Sequence, residues 1–128
     1  MLLIVTTYTA ATLTLLYVGL GMRVINMRRT GRGPSFGAEG SEQFTRAVRV
    51  HANFSEYTPL FLILLGLYEL QDGNTLTCSV CALIFISGRI MHLIGLGTCK
   101  KGPWRTLGMV CTNTTLIALA ALLLSLVL

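Results

Sequence analysis

The sequence predicts an all-α membrane protein, a bundle of four transmembrane helices. Three observations lead there. The 128 residues are 53% hydrophobic and only 12% charged, with a mean hydropathy of +0.71, whereas about a quarter of a soluble domain is charged. Long runs lack any charge: residues 1–22 and residues 106–128 contain no Asp, Glu, Lys or Arg, each enough to cross about 30 Å of hydrocarbon. Finally, the basic residues gather between apolar spans, the pattern of cytoplasmic flanks.

The elements follow in order, within one domain over residues 1–128. A first helix is expected over about 2–29. It lacks the basic start and persuasive cleavage site of a signal peptide, so it reads as retained. It leaves through Arg23, Arg28, Arg29 and Arg32, and Gly31, Gly33, Pro34, Gly37 and Gly40 then mark a loop that cannot continue a helix.

A second helix is expected over about 42–70, with Ser41 as its cap and Glu42 in its first turn. Its charge-free part, residues 57–68, is too short to span alone. The charged residues before it therefore enter the membrane boundary, where a charge facing lipid near mid-bilayer costs roughly 2.5–3.5 kcal/mol. Pro59 inside the helix should bend it and free a carbonyl. A short, weakly acidic turn at 71–74 precedes a third helix over about 75–97, interrupted by Gly88, Arg89 and His92. A basic loop with Lys100 and Lys101 follows, and Pro103 suits the first turn of a fourth helix over about 104–127. The positive-inside rule places loops one and three in the cytoplasm and both termini across the membrane.

Some readings are excluded or left bland. The net charge of +5 does not point to nucleic acid, because the bases flank spans. Cys78 and Cys81 form a C-x-x-C inside an apolar segment with no nearby base to make a thiolate. Cysteine as small packing residue is the simpler reading, and neither a metal site nor a disulfide framework is implied. The sequons at Asn53 and Asn113 fall in or near helices and should carry no glycan.

Residues 46–59, RAVRVHANFSEYTP, carry the chemistry. At 100° per residue from Arg46, Arg49 falls at about 300°, Asn53 at about 340°, Glu56 at about 280° and Tyr57 at about 20°. The stripe must face protein or a wet pocket. Arg89 and His92, three apart, share a face of the third helix. With Arg105 and Arg28, Arg29 and Arg32, all these groups lie near one membrane depth. A single pocket there suits a small, multiply charged ligand. Arginine forks hold carboxylates, a glutamate holds an ammonium, and an asparagine pairs with a peptide group. An arginine beside a bound thiol favours the thiolate, and two units of lowered thiol pKa correspond to about 2.7 kcal/mol.

Each piece also has a plain reading. Arg28, Arg29 and Arg32 could only set topology, and Arg105 could only anchor the interface. Arg46 and Glu56 could be an internal salt bridge. His92 could be an ordinary interior histidine.

Here the sequence resembles the membrane-associated proteins in eicosanoid and glutathione metabolism, the MAPEG family. Residues 24–32 (VINMRRTGR) and 46–59 are similar to the leukotriene-forming glutathione transferases. Gly88-Arg89-Ile90-Met91-His92 and Pro103-Trp104-Arg105 resemble the microsomal prostaglandin E synthase branch instead. The resemblance covers nearly the whole chain. It implies a homotrimer of four-helix subunits in a bacterial inner membrane or the endoplasmic reticulum, binding glutathione as co-substrate between neighbouring subunits at the cytoplasmic end. It also implies that Arg49, Asn53, Glu56 and Tyr57 bind glutathione, that Arg28 contacts it from the adjoining subunit, and that His92 lies on the ligand side. Arg105 would stabilise the thiolate, and Arg29 would assist catalysis. Leu96 stands where the eicosanoid-forming enzymes place a tyrosine, and the mixed motifs argue against either eicosanoid activity.

The function implied is a glutathione-dependent membrane transferase or peroxidase acting on a lipophilic electrophile or lipid hydroperoxide that enters from the lipid. The alternative is a non-enzymatic lipid-binding scaffold of the same fold. A transporter using Glu56 as a proton-coupled site would give no reason for so many arginines.

Overall fold

The structure, a computed structural model, describes residues 2–97 and 102–128. Lys100, Lys101 and Cys99, in the basic third loop, lie outside the described residues. Among the described residues there are four helices: α1 (Ile4–Arg29), α2 (Glu42–Leu70), α3 (Thr75–Gly97) and α4 (Trp104–Val127). No strand occurs among the described residues. By length and apolar composition α1, α3 and α4 can each cross a bilayer.

Local chemistry sets the helix ends. The Ser41 hydroxyl accepts from the Phe44 N–H and starts α2. Asp72 takes a left-handed φ of 57° in the turn after α2, and the Asn74 side chain then accepts from the N–H groups of Leu76 and Thr77 to start α3. The first helix has no such local cap. Instead the Glu69 carboxylate, at the far end of α2, accepts from the N–H groups of Val5 and Thr6 at 2.8 Å each. An anion at the positive end of α1 satisfies two orphan donors at once.

The helices pack with α2 and α3 along the short diagonal, α3 most extensively against α4, and α1 against α2 and α3. Phe61 and Phe85 stack at 3.8 Å between ring centroids, both with no exposed surface, amid Leu13, Leu65, Cys78, Cys81 and Leu119. Around α3 and α4 the seam is backbone on backbone. A β-carbon on Gly88 would lie 2.9 Å from that of Cys111, and one on Gly108 would lie 2.6 Å from the His92 nitrogen. A smaller cluster of Met27, Phe44 and Ala47 closes the loop end.

Pro59 lies inside α2 without ending it. Lacking an N–H, it removes the helical bond to the Ser55 carbonyl. Arg46 pairs with Glu42, one turn earlier on the same helix. An Arg46–Glu56 pair is ruled out by distance, since ten residues of helix separate the two by about 15 Å.

Candidate functional site

Five of the residues singled out by the sequence converge. Arg49, Asn53 and Glu56 of α2, His92 of α3 and Arg105 of α4 line one cleft of about 190 Å³, together with Ala52 and Leu96. The α2 residues arrive there by periodicity: spacings of four and three keep them on one face. His92 is buried, with 5% of its surface exposed, whereas Arg49, Glu56 and Arg105 are exposed on the single chain. The cleft thus has a firm inner wall and a charged, open outer rim.

Close contacts seat the α3 and α4 members. Gly108 lies under the His92 backbone, and Gly95 lies against the backbone of Trp104 and Arg105. Any larger residue at either position would push α4 away from α3. The close approach of the two helices therefore holds Arg105 beside the α2 stripe.

Behind the cleft stands Arg89, only 2% exposed. Its Nη1 donates to Asn53 Oδ1 at 2.8 Å, and its Nη2 donates to Thr112 Oγ1 and to Met109 Sδ at 3.5 Å. The guanidinium carbon lies 5.3 Å from the centroid of Tyr57 and 5.6 Å from that of Phe85. This side chain joins α2, α3 and α4. The sequence grouped Arg89 with His92 as one pocket face; Arg89 instead points into the helix junction and supports the wall from behind.

The remaining candidates sit elsewhere on the single chain. Tyr57 belongs to the α2 stripe but packs over Arg89 and against the main core. Arg28 donates to the carbonyls of Pro34 and Gly37 at 2.7 and 2.9 Å and lies over the Phe44 ring at 5.1 Å. It also lines a second groove between α1 and α2, with Tyr17, Gly21, Val48 and His51. His51 stacks on Tyr17 at 4.8 Å, on the α2 face turned away from the cleft. Arg29 is exposed in the last turn of α1 and does not line the cleft.

The cleft can do specific chemistry. Two guanidinium groups suit carboxylates, the Glu56 carboxylate suits an ammonium, and Arg105 supplies positive charge next to His92 and Leu96. An α-helical bundle with three span-length apolar helices defines a membrane protein, and its cleft gathers side chains of both charge signs. This chain belongs to the MAPEG family, whose sequence profile matches residues 6–125. Among its relatives, the inner membrane protein YecN of Escherichia coli K12 is 28% identical over 103 residues, which cover 80% of this chain and 77% of YecN. The inner membrane protein YecN of Escherichia coli O6:H1 shows the same identity and coverage.

Proposed function

We propose that this protein is a glutathione-dependent membrane transferase or peroxidase acting on a lipophilic electrophile or lipid hydroperoxide. The observation that supports it is the convergence of Arg49, Asn53, Glu56, His92 and Arg105 on one cleft, together with membership of a family named for glutathione metabolism. Arg49, Asn53 and Glu56 hold the peptide's charged and amide groups, with Tyr57 as part of the same binding set. His92 lines the ligand side, and Arg105 stabilises the thiolate.

All four helices span the membrane as one domain covering the whole chain, and three copies form a homotrimer. Arg49 and Glu56, exposed on the single chain, favour this assembly, because lipid would tolerate neither. Arg28 and Arg29 reach the cleft from an adjoining copy. Arg28 spends two of its five donors on loop carbonyls, and the others remain for a ligand carboxylate. The basic loops face the cytoplasm and both termini face the opposite side. A relative described as an inner membrane protein favours the bacterial inner membrane over the endoplasmic reticulum.

In the reaction the glutathione thiol loses its proton to solvent, and the Arg105 guanidinium stabilises the resulting sulfur anion. The sulfur lone pair forms a C–S bond with the electrophile as its leaving group departs. On a hydroperoxide the thiolate attacks the terminal oxygen and the O–O bond breaks. The alcohol leaves on taking up a proton, and a second glutathione converts the sulfenic acid to disulfide and water. The lipophilic acceptor arrives from the bilayer.

Purified protein in detergent should bind glutathione and show the ultraviolet absorbance of a thiolate. Arg105→Ala should abolish that absorbance and lower conjugation about 100-fold, the equivalent of two pKa units. Glutathione binding with no thiolate would instead favour the lipid-binding scaffold, a reading that the hydrocarbon side chain of Leu96 in the cleft keeps in play. No glutathione binding at all would sink the proposal.

A further inference from the structure

Arg89 is a cation inside a membrane-spanning helix with no carboxylate paired to it among the described residues. Such residues are expensive and mark function or a required partner. Its partners here are polar but neutral: Asn53 Oδ1, Thr112 Oγ1 and Met109 Sδ. The Thr112 hydroxyl in turn donates to the Gly108 carbonyl at 2.8 Å, so both of its hydrogen-bonding roles are in use. The buried Nε has no partner among the described residues. The two Nη groups thus tie the guanidinium to α2 and α4 at once.

That arrangement has a consequence for Asn53. A guanidinium only donates, so the carboxamide atom facing it has to be the oxygen. The amide nitrogen then points the other way, on a residue that lines the cleft with Glu56, His92 and Arg105. A free asparagine can rotate its carboxamide and offer either a donor or an acceptor. This one cannot, because a flip would set its N–H₂ against a buried cation that has only donors to offer.

We infer that Arg89 is a positioning residue that locks the Asn53 carboxamide with its N–H₂ group toward the cleft, so that the site demands an acceptor, a carboxylate or peptide carbonyl, at that point of the ligand. The inference rests on the proposed glutathione site and deepens it, while the lock itself belongs to the apoprotein. It explains why a charge is retained behind the wall. Arg105, on the far side of the cleft, acts on sulfur; Arg89 acts through Asn53 on the ligand's backbone or carboxylate.

Two measurements on the full chain in detergent test it. Thermal melting without ligand should rank Asn53→Asp at or above wild type, because a carboxylate facing Arg89 supplies the missing counterion, and Asn53→Leu well below. If Asn53→Asp melts below wild type, the lock is wrong. Glutathione titration by calorimetry, with thiolate absorbance read on the same samples, supplies the second arm. Arg89→Met should weaken binding roughly 10- to 100-fold while the absorbance per bound glutathione stays at the wild-type value, and Arg89→Lys should recover part of the affinity. Unchanged affinity in Arg89→Met, or an equal loss of affinity and thiolate, would overturn the positioning role. If Arg89→Met does not fold, the Asn53 melting order still decides. Wild-type protein that ignores glutathione yet keeps that melting order defeats the proposed function alone.

Discussion

Gly95 of α3 packs directly against the backbone of Arg105 at the start of α4: a β-carbon on residue 95 would lie 3.0 Å from the Arg105 Cα and closer still to its nitrogen. Backbone on both sides leaves nothing flexible to yield. The glycine therefore fixes where the Arg105 side chain starts. Gly95→Ala should displace the first turn of α4, and a misplacement of about 1 Å can cost about 100-fold in rate. Glutathione affinity, assigned mainly to α2 in the proposed site, should fall much less. Conjugation kinetics beside calorimetry will show whether rate and binding separate in this way.

At position 96 the cleft is lined by a leucine, one turn beyond His92. Leu96→Tyr would place a phenol where only hydrocarbon now stands, and a phenol can donate to a thiolate. The thiolate absorbance per bound glutathione should rise, with conjugation increasing by up to about tenfold for a bond worth about 1.4 kcal/mol. A fall in both would mean that the leucine fills space the ligand needs.

Glu69 serves the opposite end of the molecule. Glu69→Gln keeps one acceptor oxygen but removes the charge from the start of α1, and it should lower stability by about 1 kcal/mol. Melting in detergent will register the loss. Activity per folded molecule should stay at the wild-type level, since Glu69 lies at the other end of α2 from the cleft.

Arg28 and Phe44 organise the loop after α1. Gly33 and Gly40 approach the Phe44 ring so closely that a β-carbon would lie 2.5 and 2.8 Å from it, and Arg28 ties down the carbonyls of Pro34 and Gly37. Arg28→Ala should release the loop, so that trypsin cuts at Arg29 or Arg32 faster than in wild type. Glutathione binding should weaken as well if Arg28 contributes to a neighbouring cleft. Faster proteolysis with unchanged affinity would confine Arg28 to the loop.

The sequence by itself determined the membrane class, the four helices and the α2 stripe, because each depends on short-range quantities. Transfer of apolar side chains from water is additive along a run of residues, and a helix repeat of 3.6 alone puts Arg49, Asn53 and Glu56 on one face. The MAPEG resemblance, carried by the same α2 segment and the residues around His92 and Arg105, agrees with the family assignment. Tertiary structure decided the rest. Which helix faces which, and at what rotation, depends on shape at the seams, and glycines at 88, 95 and 108 read locally as mere interruptions. Only packing turns Arg89 from a pocket lining into the brace behind Asn53, draws Tyr57 over that brace, and brings Glu69 to the start of α1 as its cap. These partners lie 32 or more residues apart in sequence, beyond the reach of any local rule. Their physical cause is shared: polar groups taken out of water inside the fold are stabilised by partners that the protein itself supplies.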